Sequence, residues 1–311
     1  MSLDSFVTLL VHDSHSLSGW KSQGSRTEAD RVTSSLLELC GDGEATLVGS
    51  PSQTKDAPIK AADSHSIADE NKGVTTVILR SGPRTDWWRT AAGCHPESDV
   101  NRRTGPSLTL HADARVNFTA GVWIRCGDFK ERFQQGTLFV HAGSLSQMVT
   151  SQGKPAQNAN WLKVGIEREG DDEFLGSVVC SPYSDWAIQK APVPPSASPS
   201  TSSAASQKRH WIWVQVKRHG PDVTISYAVS PPSASASHTS EAEAPRRMPS
   251  EKELTLMREV KGFNVRLEDG SVPDSQNDAA FQEWRVGIMT CGPLSEHTEA
   301  IYSGFHMCID S

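Results

Sequence analysis

The chain of 311 residues carries 37 acidic and 30 basic side chains, which gives a formal net charge of -7. A general nucleic-acid binder is normally basic, so this balance argues against that class. No apolar run approaches the roughly 18 residues that a membrane-spanning helix needs, which argues against a membrane protein.

The first part of the chain is polar and irregular. We expect residues 1–70 to form an N-terminal extension packed on a domain at residues 71–311. The apolar patch Phe6–Val11 has no Lys or Arg before it, so it is more typical of a strand than of a signal peptide. Thr27–Leu39 is the one segment with clear helix-like apolar spacing, and Gly41 follows it as a stop, so we predict a helix there.

Six cysteines stand far apart along the chain, and none forms a CxxC pair. This spacing argues against a structural zinc site. Without a recognisable signal peptide, we expect free thiols in a reducing, cytoplasmic compartment. Four of them lie in or beside apolar strand-like runs, where cysteine usually acts as a small hydrophobic residue: Cys126, Cys180, Cys291 and Cys308.

From residue 74 onward, short segments rich in Val, Ile, Thr and Trp are bounded by Gly, Pro, Asp and Ser, which is the pattern of β strands. The predicted strands are Val74–Leu79, Ser107–Leu110, Arg115–Arg125, Thr137–His141, Trp161–Arg168, Phe174–Cys180, His210–Arg218, Val223–Val229, Trp284–Cys291 and Ile301–Ile309. Pro249–Val260 fits a helix and a strand equally well. About a dozen strands with almost no helix predict an all-β fold, an antiparallel sandwich of two sheets.

Turns and loops separate these strands. Glu169–Asp172 and His219–Asp222 each place Gly and Asp between two strands, which predicts two hairpins. Residues 192–207 and 230–250 are rich in Pro, Ser and Ala, and we expect long surface loops there inside the same domain.

Trp161–Arg168 alternates apolar side chains with Trp161, Lys163 and Glu167. Successive side chains of a strand point to opposite faces, so one face belongs to the core and the other is polar and aromatic. Lys163 and Glu167 stand about 13 Å apart along the strand. Each therefore needs a partner from a neighbouring strand or from solvent.

Six sequence motifs occur together in a fixed order: TDWWR at 85–89, FQQGTLFVHAG at 133–143, NWLKVGIE at 160–167, SPYSDW at 181–186, HWIWVQVKRHGPDVTISYAVS at 210–230 and WRVGIMTCGP at 284–293. Together they resemble the family named "regulation of enolase", over about residues 75–310. The resemblance implies a jelly roll of the concanavalin A-like lectin/glucanase type. The chain departs from the family pattern at Gln134, where an acidic residue is common, and at His141, where Arg is common.

In the lectins and glucanases that this fold resembles, the concave face of one sheet binds saccharide. The candidate ligand-binding residues on strand faces are Gln135, His141, Trp161, Lys163, Glu167, Trp213 and Gln215. Those expected at the rim are Asp86, Trp88, Arg89, Asp185 and Trp186. Aromatic planes stack on sugars, and amides and carboxylates bind hydroxyls. We therefore expect a non-catalytic binding protein for a carbohydrate or a similar polar ligand, although a Trp in a β sandwich is usually part of the core.

Two alternatives stay open. The family name implies a regulatory protein that acts on a glycolytic enzyme such as enolase. Glu167, Glu169 and Asp171 approximate the Glu-x-Asp-x-Glu row of many jelly-roll glucanases, which keeps a glycoside hydrolase under consideration. Against that alternative, the predicted turn after Glu169 moves two of these acids to a strand end, where we expect solvated carboxylates.

Motifs for other chemistries do not occur in the sequence. There is no GxxxxGK[ST] phosphate loop and no GxGxxG after a strand, and the histidines form no ligand set. We therefore expect no cofactor, no metal and no catalytic residues. The expected partner is a saccharide or a protein, and neither nucleic acid nor a membrane.

Overall fold

Strands make up nearly all of the regular structure in the computed structural model, which describes residues 6–8, 38–40, 43–48, 76–91, 93, 101–113, 116–142, 160–192, 210–230, 245, 247–263 and 283–310. In this part of the chain the strands are β1 (Phe6–Thr8), β2 (Glu38–Cys40), β3 (Gly43–Val48), β4 (Thr76–Ser81), β5 (Trp87–Arg89), β6 (Asn101–Arg103), β7 (Ser107–Asp113), β8 (Asn117–Cys126), β9 (Gln135–Ala142), β10 (Trp161–Glu169), β11 (Asp172–Cys180), β12 (Ser184–Lys190), β13 (Ile212–His219), β14 (Asp222–Val229), β15 (Thr255–Val260), β16 (Glu283–Cys291) and β17 (Thr298–Asp310). One 3₁₀ turn, Glu251–Glu253, precedes β15.

Two large antiparallel sheets form a sandwich. The eight-stranded sheet has the order β15-β14-β13-β8-β17-β4-β3, with β1 paired to β17 beside this path. The seven-stranded sheet has the order β12-β11-β10-β9-β16-β7-β2, and β5 and β6 form a separate ribbon. The prediction of an all-β, two-sheet antiparallel jelly-roll sandwich is confirmed.

Both predicted hairpins are present as two-residue loops. Glu169 pairs with Asp172, and His219 pairs with Asp222. The first loop residue has a positive φ in each, 61° at Gly170 and 58° at Gly220. Glycine adopts this conformation at no steric cost, which is why it occupies that position in tight hairpins.

The core lies between the two sheets and takes alternate side chains from each. From β10 it takes the predicted apolar face, Leu162, Val164 and Ile166, and from β13 it takes Ile212, Val214 and Val216. All six side chains are buried. The opposite faces of β10 and β13 therefore point away from the core, on the two outer sides of the sandwich.

Tyr302 of β17 ties the two sheets together through the core. Its hydroxyl donates to the carbonyl of Met289 at 2.5 Å, and it accepts from the amide of Thr137 at 3.1 Å. It also lies 2.8 Å from the Thr290 hydroxyl. Burial raises the pKa of Tyr302, so the phenol stays a neutral donor at ordinary pH. A residue of one sheet thus bonds the backbone of two strands of the other.

The N-terminal strands join both sheets at their edges. β2 pairs with β7 through Leu39 and Leu108, and β3 pairs with β4. The predicted helix Thr27–Leu39 is wrong at its C-terminal end, because edge pairing places Glu38–Cys40 in a strand; residues 27–37 lie outside the described part. The division of the chain at residue 70 stays a prediction.

Other segments are described only in part. Pro249–Val260, which was compatible with a helix and a strand, contains the 3₁₀ turn followed by β15. The predicted loops at 192–207 and 230–250 lie for the most part outside the described residues. Within the described ranges, no helix has the length and apolarity needed to cross a membrane.

Candidate functional site

The β5–β6 ribbon covers part of the outer face of the seven-stranded sheet. Trp87 of this ribbon is 1% exposed. Its ring lies 4.8 Å from Phe139 and 5.7 Å from Trp161, measured between centroids. Its indole N–H donates to the Gly105 carbonyl at 2.9 Å, which fixes the ring orientation. The polar and aromatic face predicted for β9 and β10 is therefore packed against Trp87 instead of forming an open groove.

A buried ion pair lies beside Trp87. Lys163 Nζ is 3.1 Å from Asp86 Oδ1, and the side chains are 2% and 12% exposed. The same Asp86 oxygen accepts the amide N–H of Trp87 at 2.7 Å. Burial lowers the pKa of Lys163, but Asp86 together with Cys291 and Glu167 outweighs this effect, and the net pKa is raised. Lys163 is therefore a fixed cation whose charge Asp86 neutralises.

Cys291 completes this cluster from β16. Its Sγ lies 3.8 Å from Lys163 Nζ and 3.7 Å from both Asp86 Oδ1 and Gln135 Oε1. Burial raises the pKa of the Cys291 thiol to about 12, and the nearby Lys163 offsets this only in part. The thiol stays protonated at neutral pH, so it is a poor nucleophile.

Glu167 lies four residues beyond Lys163 on the same face and is 3% exposed. Trp186 of β12 donates its indole N–H to Glu167 Oε2 at 3.0 Å. Within the described residues, no hydrogen bond of normal length and angle reaches the other oxygen, Oε1. Burial raises the pKa of Glu167; Lys163, the Trp186 N–H and the side chain of Gln135, the residue opposite, counteract this only in part. A Cβ at Gly176 on the adjacent strand would come within 2.7 Å of Oε2, so glycine leaves room for the carboxylate.

Trp186, which binds this carboxylate, and the rings of Trp88 and Phe133 are half-buried, and we call these three rings the aromatic mouth. Trp88 and Trp186 pack on the buried cluster that contains Trp87 and Trp161. Phe133 meets Trp186 edge-on at 5.8 Å. Trp186 therefore brings a partly exposed ring into direct contact with Glu167.

Two arginines flank the aromatic mouth. The Arg132 guanidinium stacks 4.2 Å from the Phe133 centroid and binds Glu169 at 2.7 Å. Arg89 lies 5.5 Å over the Tyr183 ring. Its amide donates to the Ser184 hydroxyl at 2.9 Å, which joins the end of the ribbon to the start of β12.

The predicted face of β9 and β10 is present. His141 is opposite Trp161, and Gln135 is opposite Glu167. Lys163 and Glu167 do take their partners from other elements, as the 13 Å spacing along a strand requires. Trp88, Arg89 and Trp186 border this face, whereas Asp86, expected at the rim, turns inward to Lys163.

Trp213 and Gln215 lie elsewhere, on the outer face of the eight-stranded sheet. Trp213 is opposite Trp123 on β8, and its indole N–H donates to Gln215 at 3.3 Å. The expectation that they share a face with Trp161 is therefore wrong. Alternation assigns a side chain to one face of its strand, but it does not tell which sheet the strand joins.

Asp185 also departs from the expected rim. It is paired with Val179, which faces the core, and its carboxylate binds Arg258 of β15. Arg258 also donates to the Ser177 hydroxyl at 3.4 Å. Asp185 therefore links the edges of the two sheets through its carboxylate. Among the described residues, its side chain forms no bond with Glu167.

The three acids around the first hairpin do not form a row along the face. Glu167 is buried, Glu169 binds Arg132, and Asp171 is fully exposed and 3.4 Å from Arg168. The predicted turn after Glu169 explains this arrangement. Among the described residues, no group of three or more His, Cys, Asp or Glu is arranged to hold a metal ion.

Sequence reasoning missed two parts of the site. Cys291 was interpreted as a small hydrophobic residue, although its thiol contacts Lys163 and Asp86. Phe133 was not singled out, although it lies in the FQQG motif directly before β9. Phe133 has a positive φ of 68°, a loop conformation that is uncommon for residues other than glycine and that the sequence does not predict.

Comparison with known proteins gives a family match. The family model described as "Protein of unknown function (DUF1349)" matches residues 67–308. No curated protein matches the chain.

Among solved structures, similarity is distant. A functionally unknown protein from Saccharomyces cerevisiae shares 17% identity over 86% of this chain and 97% of its own, with a TM-score of 0.45. The alginate lyase from Klebsiella pneumoniae shares 6% sequence identity over 78% of this chain and 83% of its own, with a TM-score of 0.38. The CBM2 module of the evolved Dit of Lactobacillus casei BL23 phage J-1 shares 12% sequence identity over 90% of this chain and 93% of its own, with a TM-score of 0.36. Similarity at this level supports no conclusion about ligand or activity.

Proposed function

Because the chain belongs to the family described as "Protein of unknown function (DUF1349)", which brings no activity with it, we propose a function from the geometry around Glu167: the protein binds a saccharide or a similar polyhydroxyl ligand. The ligand lies at the aromatic mouth. It does not run along β9 and β10, because Trp87 occupies that part of the face.

The observation that carries this proposal is the unsatisfied Oε1 of Glu167. A buried polar atom without a partner costs about 1–3 kcal/mol. An ionised carboxylate needs a donor there, and a protonated one also needs an acceptor. A ligand hydroxyl is both a donor and an acceptor, so it satisfies Glu167 in either protonation state.

The half-buried rings of the aromatic mouth supply the second element of sugar recognition. One side of a pyranose ring presents C–H groups, which stack on aromatic planes, while its hydroxyls point outward. Trp186 contributes to both parts, because its ring is half-exposed and its N–H binds Glu167. Trp88 approaches from the ribbon and packs on the same buried cluster.

Calorimetric titration with a panel of neutral and acidic oligosaccharides tests the proposal. We expect Glu167→Ala to weaken binding about tenfold, because it removes the carboxyl group that the ligand hydroxyl contacts. Glu169→Ala is the matched control, since Glu169 lies two residues away and binds Arg132 at the surface. We expect it to bind normally. Equal losses in both variants, or no binding across the panel at millimolar concentration, would refute the proposal.

A protein partner is the second candidate. The packing of Trp87 on the predicted groove favours it, because a covered face offers less surface to a long saccharide. The resemblance to the family named "regulation of enolase" suggests enolase as the partner to test. Sedimentation of the purified protein with purified enolase gives a direct answer: a faster-moving complex supports this candidate, and two independent boundaries exclude it.

The proposed location is the cytoplasm. The cysteines at positions 126, 180, 291 and 308 are free thiols in the described part of the chain, which is the usual state in a reducing compartment. A glycoside hydrolase is less favoured, because Glu169 and Asp171 are engaged by arginines at the strand end. No product release from the same oligosaccharides would agree with a binding role.

A further inference from the structure

The β5–β6 ribbon is rich in arginine for a chain with a net charge of -7. Its strands read Trp-Trp-Arg and Asn-Arg-Arg, so three of its six strand residues are cationic and none is acidic. Arg103 is buried, with its guanidinium 5.9 Å from the Trp87 ring. Arg89 is half-buried, and Arg102 is exposed and lies directly across the ribbon from Trp88.

Arg102 is the most available of these cations. It is paired with Trp88 across the ribbon, and side chains of paired residues lie on the same face. It is exposed, and it forms no ion pair with any residue that the structure describes. An exposed guanidinium therefore stands beside a half-exposed indole at the aromatic mouth.

Among the described residues, no carboxylate is paired with Arg102, and three acids of this sheet and the ribbon segment have cationic partners of their own. Asp86 binds Lys163, Glu169 binds Arg132, and Asp185 binds Arg258. Glu167 is the remaining acid on this face, and burial raises its pKa. The described strands of the ribbon thus contribute three positively charged side chains and no negatively charged one.

We propose that the ligand is an acidic saccharide, whose carboxylate binds the Arg102 guanidinium while a sugar ring stacks on Trp88. This inference rests on the proposed function and specifies its ligand class. Guanidinium binds carboxylate through two parallel N–H···O bonds, which neutral sugars cannot offer.

The test uses trisaccharides of galacturonic, glucuronic and mannuronic acid, each beside its fully methyl-esterified form. Esterification removes the charge and keeps the stereochemistry. We expect one acid to bind about tenfold more tightly than its ester, with an affinity that falls as salt is added. Arg102→Gln should remove this preference and leave ester binding unchanged. Lys217→Gln is the matched control, because Lys217 is an exposed cation on the outer face of the other sheet.

The outcomes separate this inference from the proposed function. If an ester binds as tightly as its acid, or if only neutral oligosaccharides bind, the inference is wrong and the proposed function stands. If Arg102→Gln and Lys217→Gln weaken acid binding equally, Arg102 is not the contact and the inference is also wrong. If no oligosaccharide binds, both proposals are refuted.

Discussion

Replacing Lys163 with Met removes the cationic partner of Asp86 in a site that excludes water. The two side chains are 2% and 12% exposed, with 3.1 Å between Nζ and Oδ1. Removing one partner of a buried ion pair costs about 3–5 kcal/mol of unfolding free energy. Asp86 keeps its bond from the Trp87 amide and is not fully buried, so we expect the low end of this range, about 3 kcal/mol.

The double variant Lys163→Met/Asp86→Asn separates the ion pair from the packing. It leaves no unpaired charge, and the Asn oxygen can still accept the Trp87 amide. Since replacing both partners of a buried pair is often close to neutral, we expect it to lose only about 1 kcal/mol. It should therefore be about 2 kcal/mol more stable than the single variant, a difference well above ordinary measurement error.

Guanidinium chloride unfolding at pH 7, followed by tryptophan fluorescence, measures these values. The slope m must stay constant for the comparison to report native-state stability. Lys217→Met, at an exposed position, is the control, and we expect a change of about 0.5 kcal/mol or less. A loss below about 1 kcal/mol for Lys163→Met, or a double variant no more stable than the single one, would refute the assigned role of the pair.

Three further predictions concern the same face. A raised pKa of Glu167 means that the folded state holds its proton more tightly, so the free energy of unfolding falls as the pH rises above 4.5. Urea unfolding should therefore show that Glu167→Gln gains stability relative to the wild type from pH 4.5 to 7.5. A difference in stability that stays constant over this range contradicts this. Gly176→Ala should cost about 1 kcal/mol, because its Cβ would lie 2.7 Å from Glu167 Oε2 and would displace the carboxylate from its bond with Trp186. An unchanged denaturation midpoint would contradict this crowding. Peptide mapping after iodoacetamide treatment at pH 8 should find Cys291 unmodified in the folded protein, because it is fully buried with a raised pKa, and Cys308 modified before Cys126, Cys180 and Cys291, because it is the one of these four that is partly exposed. Early labelling of Cys291 contradicts this.

Alternation predicted the face of β10 because it depends only on local geometry. Trp161, Lys163 and Glu167 stand two or four residues apart, and a strand of this length keeps its period of two. The hairpin after Glu169 was equally predictable, since Gly and Asp supply the turn conformation. Together these features identified one face and separated Glu167 from the acids that follow it.

The partners on that face depended on distant parts of the chain. Asp86 lies 77 positions from Lys163, and the ribbon strand that follows it has only three residues, too few to show a period. Trp213 was assigned to the wrong side of the sandwich because sheet membership follows from pairing with β8, which alternation does not reveal. The helix prediction failed at Leu39 because edge pairing overrode local spacing.

The Tyr302 hydroxyl has a mechanical consequence for the sandwich. Two apolar faces packed on each other resist separation, but they oppose sliding weakly because dispersion contacts have little directional preference. The bonds from Tyr302 to Met289 and Thr137 are directional, so displacement of one sheet along the other stretches them at once. These bonds therefore oppose sliding of the two sheets, on the core side of the strands that carry Gln135 and Cys291. The sheet beneath the aromatic mouth is therefore held in position from its far side.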